Sequence, residues 1–127
     1  MKHRIMTVAL VVKDIKKSIE FYKVKLGLKV KTEMDSFVDF EMEGTHIALL
    51  TENLANDLAG SNLSSSKDVA SKLILAWEAV ENVDDLYLSL KSKGVEFTSE
   101  PKLMPWGQKV AYFKDPDGNL WEISQFS

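Results

Sequence analysis

Residues 5–28 read IMTVALVVKDIKKSIEFYKVKLGL, and this stretch decides the fold. Its first eight residues, 5–12, are almost wholly apolar and rich in branched side chains, which suits a strand. Asp14 then stands ahead of a segment in which Ile15, Ser18, Ile19, Tyr22 and Leu26 recur at helical spacing. Gly27 follows where a left-handed C-terminal cap is needed. Lys23 and Lys25 fall in the last turn, where positive charge opposes the negative end of the helix dipole. The stretch predicts a strand followed by one short amphipathic helix.

The same pattern returns downstream. An apolar run over 73–80 precedes Asn82, after which Val83, Leu86, Tyr87 and Leu90 keep helical spacing, and Lys91, Lys93 and Gly94 close the segment. Asp14 to Asn82 is 68 positions and Gly27 to Gly94 is 67, so the offset is nearly constant. After Gly27, strand-like segments occupy 28–34, 37–42 and 45–51, separated by the hairpin signals Asp35-Ser36 and Glu43-Gly44. After Gly94 they occupy 95–98, 109–113 and 119–126. The last two are joined by Asp115-Pro116-Asp117-Gly118, in which Pro presets one dihedral and Gly accepts the positive one. Both halves therefore read strand, helix, three strands: a doubled βαβββ module within one domain, the first over about 1–51 and the second over about 73–127. The intervening 52–72, with Asn53, Asn56, Gly60 and Ser64-Ser65-Ser66, reads as a polar connector longer than a usual loop. Neither half is expected to bury enough surface alone, so the two sheets should pair edge to edge or exchange with a second chain, and a homodimer is the expected assembly.

Composition narrows the class. At 127 residues, 45% apolar and 28% charged, the chain has the size and balance of one soluble globular domain, which excludes a large multidomain enzyme and a disordered tail. Sixteen basic against nineteen acidic residues leave a net charge of -3, so no excess of positive charge exists to neutralise a nucleic-acid backbone. The lysines 13, 16, 17, 23 and 25 read as the solvated face of the first helix. Zero cysteines remove disulfides, thiolate metal sites and cysteine nucleophiles. The apolar stretch behind the basic start is only eight residues and is closed by Lys13-Asp14, so it reads as a strand rather than a leader. With no run approaching the ~18 apolar residues of a membrane span, the expectation is a cytoplasmic protein with no membrane partner. No phosphate-binding glycine loop, nucleophile elbow or HExxH pair is present.

The doubled module resembles a known group through particular residues: Val12-Lys13-Asp14-Ile15 through Phe21-Tyr22 and Leu26-Gly27-Leu28, and then Trp106-Gly107-Gln108 through Asp115-Pro116-Asp117-Gly118-Asn119-Leu120-Trp121-Glu122. On these the chain resembles the vicinal oxygen chelate superfamily, which contains glyoxalases, bleomycin-resistance proteins and extradiol dioxygenases. The resemblance covers nearly the whole chain. It implies an α+β fold in which two tandem βαβββ modules form a cupped mixed sheet, with helices on the convex face and ligand chemistry on the concave one. It does not imply one activity, since the group holds both metal enzymes and metal-free binding proteins.

The resemblance also implies four places for metal ligands, on the first and last strand of each module. Five residues before Val12 stands Thr7; the fourth strand offers Ala48; five residues before Val80 stands Leu75; the last strand offers Glu122. Only Glu122 is an expected ligand type, and one carboxylate does not hold a catalytic ion that needs about three protein ligands. His3 lies four residues before Thr7, roughly 13 Å along a strand, and reads as a surface residue. His46, two residues from Ala48 and of the same parity, is placed at the rim of the cavity. The expectation is therefore no metal and no cofactor.

Without a metal, Glu122 becomes a concave carboxylate able to bind a cationic or hydrogen-bond-donating ligand, or to accept a proton. Trp77 shares parity with Leu75 and is expected to face the same cavity as a stacking wall. Trp106, in Met104-Pro105-Trp106-Gly107, is expected on a shaped lip. Trp121 has the parity opposite to Glu122 and is expected beneath a helix, while the facing of Tyr112 and Phe40 is not determined. The first reading is a metal-free protein that binds a small apolar or aromatic molecule, cationic or antibiotic-like, through Trp77, Trp106, Glu122 and His46, with Thr7, Ala48 and Leu75 lining the site. A metal-dependent glyoxalase-like lyase completed by His46 and Glu122 is the alternative. A ligand-free dimeric scaffold is a third.

Overall fold

The computed structural model describes residue 3, residues 5–59 and residues 74–126. The chain divides into two compact units, Met1–Asp68 and Val69–Ser127. In the first, β1 (Thr7–Val12) leads into α1 (Ile15–Ile19), whose last turns widen into a π-helical segment (Glu20–Lys25). The strands β2 (Lys29–Glu33), β3 (Phe37–Glu41) and β4 (His46–Thr51) follow. They form a four-stranded sheet in the order β1-β4-β3-β2, with β1 parallel to β4 and the others antiparallel. That is the mixed topology a strand-helix-strand crossover followed by two hairpins must give.

Local chemistry fixes the helix. Asp14 takes extended backbone angles and its Oδ1 accepts from the Lys17 N–H at 3.2 Å, satisfying one of the unpaired donors of the first turn. At the other end Gly27 adopts φ 77°, a conformation that lets the Leu28 N–H reach back to the Tyr22 carbonyl at 2.9 Å. Phe21, Tyr22 and Ser18 are buried against one face of the sheet, which contributes Leu10 and Val12 from β1, Val38 and Phe40 from β3, and Ile47 and Leu49 from β4. The Tyr22 and Phe40 rings lie 5.9 Å apart, so Phe40 belongs to this helix-covered core. The opposite parity, Thr7, Ala9 and Val11 on β1 with His46, Ala48 and Leu50 on β4, forms the other face.

Residues 52–59 depart from the connector reading. They form α2 (Glu52–Ala59), started by Thr51, whose Oγ1 accepts from the Leu54 N–H at 3.2 Å, and held by the buried Ala55. The rest of the expected connector, 60–72, lies outside the described residues.

In the second unit, β5 (Ile74–Ala76), α3 (Val83–Ser92), β6 (Glu96–Phe97), β7 (Lys102–Leu103), β8 (Gln108–Lys114) and β9 (Leu120–Phe126) follow in order. The sheet runs β5-β9-β8-β6, with β7 also pairing β8. Asn82 repeats the role of Asp14, its Oδ1 accepting from the Asp85 N–H at 3.0 Å. The Asp115 carboxylate organises the β8–β9 turn by accepting from the N–H groups of Asp117 (3.0 Å) and Asn119 (2.7 Å) and from Asn119 Nδ2 (2.8 Å). Gly118 closes that turn at φ 84°. Val83, Tyr87 and Leu90 of α3 are buried, as are Ala111, Phe113, Trp121 and Ile123 of the sheet, and the Phe97 ring bridges Tyr87 (4.7 Å) and Phe113 (5.5 Å). Each unit is thus a mixed sheet, with α1 against one face of the first and α3 against one face of the second. No helix among the described residues is long and apolar enough to cross a membrane.

Candidate functional site

In the second unit the register of three strands places Ala76, Glu122 and Tyr112 in one row, because Ala76 pairs with Glu122 on one side and Tyr112 on the other. Directly paired residues project to the same face, and this face is the one opposite Trp121 and Ile123. The Tyr112 hydroxyl donates to Glu122 Oε2 at 2.8 Å. Hydrogen bonding to the Glu122 carboxylate, then burial, then the carboxylate's negative charge hold the Tyr112 hydroxyl above its ordinary pKa of 10.0, so it remains a donor. One carboxylate oxygen is tied down by that bond. The other, Oε1, makes no hydrogen bond among the described residues and is the group a ligand can engage.

The facing expected for Leu75 and Trp77 is corrected by the geometry of β5. Leu75 pairs with Trp121 rather than with Glu122, and Trp77 stacks on Trp121 with centroids 4.5 Å apart and planes 18° from parallel. Both therefore lie on the side of the sheet that carries Trp121, away from the Glu122 carboxylate. The reason is an irregularity past the end of the strand. Trp77 and Val80, three residues apart, donate to the carbonyls of Glu122 and Ser124, only two apart, so one extra residue is accommodated between them. Counting back five from Val80 passes through that extra residue and lands on the wrong face; Ile74 and Ala76 share the face of Glu122. Trp121 is buried on the helix side, as its parity requires.

In the first unit Thr7 and His46 are direct partners across β1 and β4, and Ala9 is the partner of Ala48. His46 thus stands beside Thr7, one row along from Ala48. Asp39, paired with Ala48 from the other side, projects to the same face, and His46 Nδ1 lies 4.0 Å from Asp39 Oδ1. Asp39 has no counterpart in the sequence reading. The signal for it was present, since it alternates with the buried Val38 and Phe40 along one strand. His3 is exposed. Trp106 is 69% exposed in the turn before β8, its Nε1 donating to Gln108 Oε1 at 2.9 Å.

Among the described residues, the side chains at the places implied by the resemblance do not make a catalytic-metal donor set. The four places implied by the resemblance hold a hydroxyl, two apolar side chains and one carboxylate already bonded to a tyrosine. Among the described residues no three His, Cys, Asp or Glu side chains come together in a way that could hold an ion.

Comparison with known proteins places the chain in a family. The model of the Glyoxalase/Bleomycin resistance protein/Dioxygenase superfamily matches residues 4–123. The uncharacterized protein YraH of Bacillus subtilis is 36% identical over 124 residues, covering 94% of this chain and 96% of that protein. A lactoylglutathione lyase of Arabidopsis thaliana is 28% identical over 121 residues, covering 88% of this chain, which spans 40% of the plant enzyme. Among solved structures, a glyoxalase/bleomycin resistance protein/dioxygenase from Nocardioides superposes with a TM-score of 0.87 at 29% identity, over 99% of this chain and 85% of the other.

Proposed function

We propose that this chain, which belongs to the Glyoxalase/Bleomycin resistance protein/Dioxygenase superfamily, is a cytoplasmic, metal-free protein that binds a small apolar or aromatic molecule. The observation that carries the proposal is the state of Glu122. It projects from the sheet face opposite the helix, with one oxygen held by Tyr112 and the other directed to no protein donor among the described residues. A carboxylate fixed in that way is an anchor for a ligand donor, either a hydroxyl, an amide or a cation. The short side chain of Ala76 beside it leaves room for the ligand body. Thr7 and His46 lie on the corresponding face of the first unit beside the buried Ala48, and Trp106 is an exposed aromatic side chain available as a lip. Leu75 and Trp77 are left out of the binding set because they face Trp121. Homodimerisation belongs to the same reading and is checked by light scattering.

The test is a screen of small aromatic compounds followed by tryptophan fluorescence and thermal shift, repeated with Glu122→Gln. Compounds that stabilise the protein and lose about tenfold or more in affinity on that substitution support the reading, since a hydrogen bond to a charged group contributes about 1.5–3 kcal/mol. A broad panel with no stabilising compound contradicts it and favours a ligand-free scaffold.

A second reading, a metal-dependent lyase, is favoured by the plant relatives, two of which are named lactoylglutathione lyases at 27% and 28% identity. It requires metal-dependent turnover of a glutathione hemithioacetal that Glu122→Ala abolishes.

A further inference from the structure

The register of the second sheet sets four side chains in a row across the face opposite α3. Ala76 of β5, Glu122 of β9 and Tyr112 of β8 are direct partners, and the Thr98 N–H bonds the Tyr112 carbonyl at 2.9 Å, which carries the β6–β8 pairing one residue further. Phe97 meets Tyr87 and Phe113 on the helix side, so Thr98, next along, projects to the side of Glu122. The row reaches solvent: Ala76 and Thr98 at its ends are exposed, and Glu122 and Tyr112 between them are half-buried. On one side of the row Val110 and Ser124 are buried, while on the other Ile74 is 56% exposed. The accessible ground beside Glu122 therefore lies over Ala76 and Ile74.

The hydroxyl protons of this row are used within it. Tyr112 donates to Glu122 Oε2 at 2.8 Å, and Thr98 Oγ1 donates to the Tyr112 carbonyl at 3.4 Å. A hydroxyl has one proton and two lone pairs, and a carboxylate has lone pairs alone. What is left for a ligand is Glu122 Oε1 and the lone pairs of the Tyr112 and Thr98 hydroxyls, an acceptor in every case. No basic side chain is bonded to Glu122 among the described residues. The other charges on this face are Lys114 and Glu96, exposed and directly opposite each other one row away, and the exposed Lys102 opposite Val110. A ligand group that brings acceptors of its own sets lone pairs against lone pairs, whereas one that carries donors alone suits every position.

We propose that the Glu122–Tyr112 pair is a subsite for a primary ammonium group, held through its N–H donors by Glu122 Oε1 and the Tyr112 hydroxyl oxygen. An ammonium has three donors and no acceptor, and its charge complements the carboxylate. The body of the ligand lies over Ala76 and Ile74. The assignment rests on the reading of the chain as a small-molecule binder anchored at Glu122, and names the ligand class. A hydroxyl in the same place has one proton for two acceptors, and a carboxylate is repelled.

The experiment uses the full chain and three probes of one shape: 2-phenylethylammonium, the neutral 2-phenylethanol and the anionic 3-phenylpropanoate. The ring signals of the three tyrosines in nuclear magnetic resonance give the readout, with Tyr112 assigned by Tyr112→Phe. Tyr22 and Tyr87 are buried, so a ligand at the pair shifts the Tyr112 ring and leaves the other two in place. The ammonium probe is expected to do this with an affinity about tenfold above that of the alcohol, in line with a hydrogen bond between charged groups, and the carboxylate probe is expected not to bind. Glu122→Gln is expected to bring the ammonium probe down to the level of the alcohol. Ala76→Leu, at an exposed position of the strand that ends the sheet, covers the approach; it is expected to remove the shift for every probe and serves also if the Glu122 variant does not fold. An ammonium affinity unchanged by Glu122→Gln, or no shift of Tyr112 with any probe, overturns the subsite. An alcohol that binds as tightly as the ammonium and is lost in Glu122→Gln overturns the ammonium class and leaves Glu122 as the anchor. The broader reading fails on a different result, the absence of any stabilising compound in the fluorescence and thermal-shift screen.

Discussion

Tyr112 donates a 2.8 Å hydrogen bond to Glu122 directly across the β8–β9 pair, so the Glu122 carboxylate is held by a neighbour on the same sheet face. The bond explains how an acidic side chain sits half-buried on a strand: one of its oxygens is satisfied from within, and the other stays available. It also makes the tyrosine a reporter of the site.

The first prediction concerns that tyrosine. Its pKa is raised in the folded protein, so the folded state holds the phenolic proton more tightly than the unfolded one. The resulting stability is fully present below the unfolded value of 10.0 and is lost as pH rises through the higher folded value. Ultraviolet titration of phenolate formation should therefore lose a step lying above the ordinary tyrosine value in Tyr112→Phe. At neutral pH the variant should be about 1 kcal/mol less stable. An unchanged titration curve would mean the hydrogen bond does not hold in solution.

Trp77 is predicted to matter for stability rather than for ligand. Removing its ring by Trp77→Ala strips one side of the stack on Trp121 and should cost at least about 1 kcal/mol in denaturant unfolding. Ligand affinity should be unchanged. Weaker binding with unchanged stability would return Trp77 to the site.

The β8–β9 turn depends on one side chain. Asp115→Ala removes acceptors from two backbone N–H groups and one amide, and a melting experiment should show a loss of about 2–3 kcal/mol. Asp115→Asn, which keeps one carbonyl acceptor, should recover part of it.

The two helix caps should behave as equivalents. Asp14→Ala and Asn82→Ala are each expected to cost about 1 kcal/mol, measured by chemical denaturation. A negligible effect at either position would show that its helix is set by packing alone.

Much of this architecture was legible before any coordinates because the signals are local. Asp14, Asn82 and Gly27 mark helix ends by side-chain and backbone chemistry that acts within a few residues, and alternation along 5–12 separates Leu10 and Val12 from Thr7 and Ala9. The misreadings share a different cause, since each depends on a partner strand. Counting along one strand gives Leu75 and Trp77 the wrong face, because one extra residue lies between Trp77 and Val80. The position of His46 opposite Thr7 and the approach of Asp39 to His46 follow from register between strands distant in sequence, which parity within one strand does not reveal. The helix over 52–59 was hidden by polar side chains, although Thr51 is a capping residue.

The central claim, ligand binding without a resident metal, is tested most directly by elemental analysis of untagged protein purified without chelator and then incubated with zinc, nickel, manganese or anaerobic ferrous iron. The account predicts metal far below one equivalent after desalting, because Thr7 and Ala48 supply no strong ligand beside Glu122 and about three protein ligands are needed. Retention of about one equivalent, lost in Glu122→Ala, would contradict it and make a metal enzyme the leading reading.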